Sequence, residues 1–239
     1  MPDNLFIPSV DLRIGSLEEY NRRQKEKAAL QHRKPRPRPC ITISREYGCE
    51  GYPVSELLRE LMMQKTGDEW VLIDKDVLEE VARRHNVSED ILQALGENNR
   101  ILNEVLATFS PRWKSDQEYF RLLSRHVVAL AEQGNVIIVE LGGSVITRHI
   151  EHSYHFRIYG SDAFKAATLA RRLNMQTEDA EKLMHRQQKV RDHFTKDFLN
   201  QDDHDPVLYH LMFNNARIAA SGIAHTIADF VTDRHGELR

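Results

Sequence analysis

Residues 40–51, Cys-Ile-Thr-Ile-Ser-Arg-Glu-Tyr-Gly-Cys-Glu-Gly, form the stretch that decides the expected fold. The β-branched run at 41–43 predicts a strand, and the glycines that follow predict a turn. Apolar residues at helical spacing from Val54 to Met62, with Pro53 near the first position, then predict a helix. Strand, glycine loop and helix in this order often bind phosphate, because loop N–H groups and the positive end of the helix dipole face the anion.

The phosphate-loop signature Gly-x4-Gly-Lys-Ser/Thr is not met, because its lysine is absent. The candidate cradle consists of the loop residues Gly48, Cys49, Glu50, Gly51 and Tyr52. Gly48 and Gly51 are expected to adopt positive φ and let the backbone approach an anion, and Arg45 is expected to add charge from the start of the loop. An ordinary tight turn explains the same pattern equally well.

Length and composition predict a soluble globular protein with one large domain, or with one domain and an appendage. The chain has 239 residues, of which 41% are hydrophobic and 29% charged. A formal net charge of −3 argues against nucleic acid as the main partner. The apolar runs are too short to cross a bilayer, and residues 1–10 lack a basic start followed by an apolar core, so neither a membrane partner nor a secretory signal is expected.

The two cysteines, Cys40 and Cys49, flank the first predicted strand and its loop. Across an extended strand they lie too far apart for a disulfide, so we expect both to be reduced and the protein to be cytoplasmic. The histidines show no convincing metal-ligand spacing, so no protein-bound metal site is expected.

Residues 1–39 are predicted to form an N-terminal helix and a Pro/Arg-rich linker, and residues 40–239 are predicted to form the main domain. Ser16 is expected to cap a helix over 17–31, with Glu19 completing a capping box. Alternating prolines and positive charges at the end of this segment favour an extended, solvated linker. The alternative is a basic arm that touches an acidic partner or nucleic acid.

Strands and helices alternate along the rest of the chain. The predicted strands are Cys40–Ser44, Glu69–Ile73, Val136–Val139, Tyr154–Tyr159 and Leu208–Phe213. The predicted helices are Pro53–Lys65, Lys75–His85, one after Ser88, Asp116–Gln133, one from Ser161 to Leu173, Thr177–Leu199 and Ala216–Val231. This alternation predicts an α/β fold with a mostly parallel sheet covered on both faces. Ligands of such sheets bind beyond the carboxyl ends of the strands, so the loops after Ser44, Ile73, Val139 and Tyr159 are the candidate binding loops.

Other candidate binding residues follow the second and third strands. Asp74 and Lys75 offer a carboxylate for a sugar hydroxyl and an amine for a phosphate, although helix capping by Asp74 explains the pattern equally well. Gly142 and Gly143 permit close approach of a ligand or a sharp turn, and the pattern alone favours the turn. The charged helices of residues 165–197 form either a lid that closes cations over phosphate or a solvated amphipathic face.

Several sequence motifs occur in a characteristic order. They are Ile-Thr-Ile-Ser-Arg-Glu-Tyr-Gly (41–48), Leu-Ile-Asp-Lys-Asp-Val-Leu (72–78), Val-Ile-Ile-Val-Glu-Leu-Gly-Gly (136–143), Asn-Met-Gln-Thr-Glu-Asp-Ala-Glu-Lys-Leu (174–183) and Leu-Tyr-His-Leu-Met-Phe-Asn (208–214). This order resembles the cytidylate kinase-like family, a branch of the P-loop nucleoside monophosphate kinases. The resemblance covers roughly residues 40–232, and Ser-Arg-Glu-Tyr-Gly is its most specific part.

The resemblance implies a three-layer P-loop kinase-like fold with a five-stranded parallel sheet, a helical insertion at about 75–133 and a lid at about 172–200. It also implies transfer of the terminal phosphoryl group of a nucleoside triphosphate such as ATP to a pyrimidine monophosphate such as CMP or dCMP. Catalysis of this kind consists of positioning and charge neutralisation, with Mg²⁺ as the cofactor that bridges the phosphates. Nucleotides are therefore the expected partners.

The same resemblance assigns roles to individual residues. The expected catalytic residues are Arg45, Lys189 and Arg191. The residues expected to bind nucleotide or phosphate are Gly48, Cys49, Glu50, Gly51, Tyr52, Asp74, Lys75, Gly142, Gly143 and Arg172.

The sequence departs from the family pattern, and the main departures make the expected site more negative. Gly48–Tyr52 replaces the usual Gly-Ser-Gly-Gly-Arg, and Glu140–Gly142 replaces the usual Gly-Arg-Gly, so two cations are lost and two carboxylates gained. Gln188 stands where an aspartate is common, and Lys165 is the nearest equivalent of an expected arginine. The site becomes more negative by about four charges, each worth ~4 kcal/mol at about 4 Å and an effective dielectric of ~20. Weak triphosphate binding is therefore expected, unless Mg²⁺ held by the new carboxylates offsets part of the repulsion.

Three hypotheses about function remain open. The protein is a divergent kinase for cytidylate or another small acceptor, or a degenerate kinase fold that binds a ligand or partner without turnover. The third hypothesis is an interaction protein whose N-terminal helix and basic arm recruit a partner or a second subunit.

Overall fold

The computed structural model describes residues 8–30, 38–83 and 114–237. The strands are β1 (Cys40–Arg45), β2 (Val71–Ile73), β3 (Val136–Val139), β4 (Ser153–Tyr159) and β5 (Leu211–Asn214). The helices are α1 (Val10–Leu30), α2 (Gly51–Thr66), α3 (Lys75–Arg83), α4 (Lys114–Gln133), α5 (Gly143–Ile146), α6 (Asp162–Leu173), α7 (Thr177–Leu199) and α8 (Ala220–Glu237). The predicted helix after Ser88, about half of the predicted insertion and most of the proline-rich linker lie outside the described residues.

The described strands form a five-stranded, all-parallel sheet in the order β2-β3-β1-β4-β5. β1 lies at its centre, where Cys40 pairs with Val136 of β3 on one side and with Ser153 of β4 on the other. The predicted α/β fold with a parallel sheet and flanking helices is therefore confirmed. Because the strands are parallel, their carboxyl ends meet at one edge of the sheet and bring the loops after β1, β2, β3 and β4 together.

Alternating side chains of the strands build one apolar core on each face of the sheet. Ile41 and Ile43 of β1 are buried with residues of α2 and α8, whereas Cys40 is buried with residues of α1, α3 and α4. In β3, Ile137 joins the first core and Ile138 the second. A strand that is buried on both faces needs a continuous apolar run, which explains the sequence of β3.

Helix α1 begins earlier than predicted. Ser9 precedes the helix, and its hydroxyl accepts a hydrogen bond from the Leu12 amide at 3.3 Å. Ser16 lies inside the helix and donates to the Leu12 carbonyl at 3.1 Å, while Glu19 pairs with Arg22 at 2.7 Å. The predicted cap at Ser16 and the predicted capping box at Glu19 are therefore wrong, because the apolar stripe that packs on the core starts upstream of Ser16.

Helix α1 is packed on the main core. Ile14, Leu17 and Tyr20 are buried in the same cluster as residues of β2 and α3. The Tyr20 hydroxyl donates to the Gly134 carbonyl at 2.6 Å, and burial raises the pKa of Tyr20 to about 12, which keeps this donor protonated. The helix thereby covers the β2 edge of the sheet.

The end of the chain differs from the prediction in its boundaries. Pro206–Leu208 forms a short 3₁₀ turn, and β5 begins only at Leu211, where its pairing with Phe156 of β4 starts. The Asp205 carboxylate accepts from the Val207 amide at 2.9 Å and so favours the turn over an extended strand. The last helix begins at Ala220 instead of residue 216.

Leu17→Ala should lower the free energy of unfolding by about 2–5 kcal/mol, because it removes buried methyl groups and leaves a cavity in the core. Leu12→Ala on the same helix is the matched control. Leu12 is 66% exposed, and its replacement should change the stability by less than ~0.5 kcal/mol. Urea unfolding followed by circular dichroism measures both variants. Equally small effects would contradict the packing of α1 on the core.

Candidate functional site

The loop between β1 and α2 is a tight turn whose glycines have two different roles. Gly48 has φ +104°, and a Cβ there would lie 2.7 Å from Lys165 Cβ and 2.9 Å from the Lys165 carbonyl oxygen. Gly51 does not have the predicted positive φ. It is required for another reason: a Cβ at this position would lie 2.0 Å from Arg45 Cδ. The Arg45 side chain therefore runs directly across the first residue of α2.

Arg45 ends the central strand, and its guanidinium points at the turn after β3. Its Nε lies 3.3 Å from Glu140 Oε1, and its side chain is 17% exposed. Nε and Nη1 are buried, and neither has an aligned hydrogen-bond acceptor. Burial lowers the pKa of Arg45, because the surroundings of this side chain destabilise its charged form.

Two further arginines approach from the predicted lid. Arg191 of α7 contacts the Glu140 carboxylate and lies 5.2 Å above the centre of the Tyr47 ring. Desolvation, and then the charge of Arg45, lower the pKa of Arg191 to about 9. Partial desolvation and then Arg45 also lower the pKa of Arg172, at the end of α6. We call Arg45, Arg172 and Arg191 the arginine cluster.

An unusual turn places the Glu140 carboxylate beside this cluster. Glu140, Leu141 and Gly142 have φ values of +68°, +60° and +67°, so three successive residues are left-handed. The left-handed conformation costs a residue other than glycine about 1–2 kcal/mol. The Glu140 amide donates to the Ile43 carbonyl at 2.8 Å, and the Gly143 amide donates to the Glu140 carbonyl at 3.0 Å. The backbone of this turn is therefore tied to β1 and α5.

Glu50, the carboxylate inside the loop, is turned toward the end of β5. Its amide donates to Asn215 Oδ1 at 2.8 Å, and its Oε2 lies 3.4 Å from Asn215 Nδ2. Arg171 Nη2 lies 3.7 Å from Glu50 Oε1. Glu50 and Glu140, the two carboxylates that the sequence places at the site, are thus each paired with arginine. The site is therefore less negative than the sequence predicted. No signal in the sequence indicated that Arg171 and Asn215 pair with Glu50.

Lys165 of α6 packs against the loop between β1 and α2. Its Nζ lies 2.7 Å from Glu46 Oε2 and 2.9 Å from Asp162 Oδ1, and its side chain is buried. Glu46 Oε2 also accepts from the Gly160 amide at 3.3 Å. The two carboxylates neutralise this lysine, so it braces the loop instead of adding to the arginine cluster.

Some loop amides have protein acceptors, and others lie in the first turn of α2. The Tyr47 amide donates to Gln188 Oε1 of α7 at 2.8 Å, and the Glu50 amide is held by Asn215. The amides of Gly51 and Tyr52 belong to the first turn of α2, where helix geometry provides no intrahelical acceptor. These first-turn amides, beside Arg45, are the backbone donors that an anion can use.

A model of the cytidylate kinase-like family matches residues 40–217. The chain belongs to the cytidylate kinase-like family. A crystal structure of an uncharacterized protein from Eubacterium ventriosum has a similar fold, with a TM-score of 0.64 and 16% sequence identity over 82% of this chain and 99% of that chain. At this identity the likeness concerns the fold alone. A comparison with curated proteins found no match.

In this cytidylate kinase-like protein, the predicted acceptor residues make structural contacts. Asp74 Oδ1 accepts from the Val77 amide at 3.0 Å, and its other carboxylate oxygen pairs with Arg13 of α1. Asp74 thus caps α3, as the alternative reading of the sequence proposed. Lys75 is exposed and lies 3.5 Å from Glu79.

The other residues that the sequence predicted for the site of this family member have several different roles. Lys189 is exposed, and its carbonyl accepts from His193 Nδ1 at 2.6 Å. A Cβ on Gly142 would lie 2.2 Å from Leu199 Cδ1, and one on Gly143 would lie 3.2 Å from Thr42, so both glycines serve a packed turn. Burial raises the pKa of the Cys49 thiol to about 12, and burial also raises the pKa of the half-buried Tyr52. Both side chains therefore stay neutral near pH 7.

The described residues contain no group of three or more His, Cys, Asp or Glu side chains placed to hold a metal ion. Within the same residues, every helix is too short or too polar to span a membrane.

Gly48→Ala should destabilise this member of the cytidylate kinase-like family by about 1–3 kcal/mol, because the new Cβ combines a left-handed backbone with a clash against Lys165. Gly15→Ala is the control of opposite sign. Gly15 lies within α1 with nothing within 4 Å of an added Cβ, so alanine should stabilise the protein by about 0.5–1 kcal/mol. Chemical unfolding compares the two, and a neutral Gly48→Ala would contradict the loop geometry.

Proposed function

We propose that the protein is a nucleoside monophosphate kinase-like phosphotransferase. It would move the terminal phosphoryl group of a nucleoside triphosphate, with ATP as the expected donor, to CMP, dCMP or a related small acceptor. The observation that carries this proposal is that Arg45 crosses the first residue of α2 and that Arg191 meets it at the Glu140 carboxylate. Membership of the cytidylate kinase-like family supports nucleotides as ligands.

The electrostatics of the cluster favour a ligand with several negative charges. Desolvation and then the charge of Arg45 lower the pKa of both Arg172 and Arg191, so repulsion between like charges adds to the effect of desolvation. Repulsion among fixed cations is relieved when a polyanion binds between them. A triphosphate supplies such charge, and the orphan amides of α2 add directional donors.

The proposed reaction needs little covalent chemistry from the protein. An oxygen of the acceptor forms a bond to the γ-phosphorus, the bond from that phosphorus to the bridging oxygen breaks, and the nucleoside diphosphate leaves. Charge spreads over the transferred oxygens during this step, and guanidinium groups fixed beside them stabilise it. Arg45 and Arg191 are the residues to which we assign this role.

Mg²⁺ is the cofactor expected for such a reaction. The carboxylates described beside the loop are each paired with a cation: Glu46 with Lys165, Glu50 with Arg171, and Glu140 with Arg45 and Arg191. We therefore expect Mg²⁺ to be held mainly by the nucleotide phosphates and water, as is common for this ion. The ion would neutralise phosphate charge during transfer.

Two further expectations belong to the same proposal. Cys40 and Cys49 are free and buried, which supports a reducing compartment such as the cytoplasm. With a net charge of −3, nucleic acid is not the expected partner.

A second candidate function is a kinase fold that binds a ligand without turnover. It is favoured by the engagement of the Tyr47 and Glu50 amides by Gln188 and Asn215, which leaves fewer backbone donors for phosphate. Thermal shift with ATP and CMP, with and without Mg²⁺, detects binding in both cases. A radiometric transfer assay with a panel of nucleotide acceptors separates them, because only the enzyme yields labelled product.

Arg45→Met and Arg191→Met should each weaken ATP binding by about tenfold or more, because each removes a charge-assisted contact and keeps most of the side-chain volume. Arg186→Met is the matched control, since Arg186 is exposed on the same helix as Arg191. Isothermal titration calorimetry with Mg²⁺ present measures the three affinities. Equal affinities in all three variants would contradict the assignment of the phosphate site.

A further inference from the structure

We propose that Glu140 is a specificity-determining residue that acts as an internal anion: its carboxylate holds the position between Arg45 and Arg191 that a ligand phosphate would take. The inference deepens the proposed function and rests on it. Glu140–Gly142 stands where the family pattern described above usually has Gly-Arg-Gly, with Glu140 at the first glycine and Leu141 at the arginine, so this turn loses a cation and gains a carboxylate.

The contacts place one carboxylate oxygen between two guanidinium groups. Glu140 Oε1 lies 3.3 Å from Arg45 Nε and also contacts Arg191 Nη1. The side chains of Glu140 and Arg191 are each 26% exposed, whereas the carboxylate oxygen at the contact is buried, so a ligand reaches the arginines once the Glu140 side chain rotates away. A carboxylate in this place has the charge and the acceptor geometry of one phosphate edge.

The hydrogen bonding of this carboxylate is incomplete. Arg45 Nε and Nη1 and Glu140 Oε1 are buried without an aligned hydrogen-bond partner. The ion pair therefore supplies charge without satisfying the donors of Arg45. A phosphate group has more oxygens, spread over a tetrahedron, and can accept from both arginines with better alignment. The geometry thus favours exchange of the carboxylate for a phosphate.

Replacement of the Glu140 carboxylate by a ligand phosphate requires only the Glu140 side chain to move. The backbone amide of Glu140 is held by the Ile43 carbonyl, and its carbonyl is held by the Gly143 amide. The left-handed turn from Glu140 to Gly142 is further fixed by Leu199, which leaves no room for a Cβ at Gly142. Rotation of the Glu140 side chain away from the arginines leaves this backbone in place.

The consequence is a site that discriminates among ligands by charge. A weakly charged anion has to displace an internal carboxylate and gains little by doing so. A polyphosphate displaces the same carboxylate, and its further phosphate groups have the first-turn amides of α2 as donors. Glu140 therefore lowers the affinity for every anion at this position and leaves strong polyanions as the ligands that still bind.

The test compares Glu140→Gln with the wild-type protein, using inorganic tripolyphosphate as the probe in calorimetry at fixed ionic strength. The variant keeps the size of the side chain and removes its charge, so tripolyphosphate should bind about tenfold more tightly. Glu181→Gln is the matched control, because Glu181 is exposed on α7, the helix that carries Arg191, and has no assigned part in the phosphate site. It should change the affinity by less than about threefold.

The outcomes separate this inference from the proposed function. If the wild type binds tripolyphosphate and Glu140→Gln binds it equally or more weakly, the role of Glu140 is overturned and the phosphate site stands. The same conclusion follows if Glu181→Gln strengthens binding as much as Glu140→Gln does. Absence of binding in all three proteins overturns both. The free energy of unfolding without ligand, measured for each variant, verifies that every protein compared is folded.

Discussion

The site depends on one packing constraint: the Arg45 side chain crosses Gly51 with no space for a Cβ between them. Arg45 is the last residue of the central strand, so the register of the sheet fixes where its guanidinium lies. The usual phosphate loop places its cation on the helix side of the glycine loop. Here the strand provides it, and Glu140, Arg172 and Arg191 are arranged around that charge.

The sheet and several helices could be predicted because their signals are local. Val136–Val139 is a continuous apolar run, as a strand buried on both faces requires, and Ser161 caps α6 by accepting from the Phe164 amide. α7 begins at Thr177 and ends at Leu199, as its pattern indicates. Local signals also led to one wrong prediction. Ser16 and Glu19 match a capping box, but the helix begins earlier, at Val10, because Ile14 is buried in the core.

The candidate site could be predicted only in part, since its decisive contacts join distant residues. The loop and the arginine cluster were found from motif order. The bonds from Tyr47 to Gln188 and from Glu50 to Asn215 span 141 and 165 positions. Nothing in the sequence indicates which carboxylate meets which arginine, because that depends on how α6, α7 and the turn after β3 pack around the loop.

Helix α1 has a practical consequence for work on this protein. The family match begins at residue 40, whereas Ile14 and Leu17 fill the core beside β2 and α3, and Arg13 pairs with Asp74. A fragment trimmed to the matched region would expose an apolar groove along the edge strand β2. The Asp74 carboxylate at the rim of this groove would lose its arginine partner. Such a surface invites self-association. Expression trials for crystallography therefore gain from keeping the preceding helix attached.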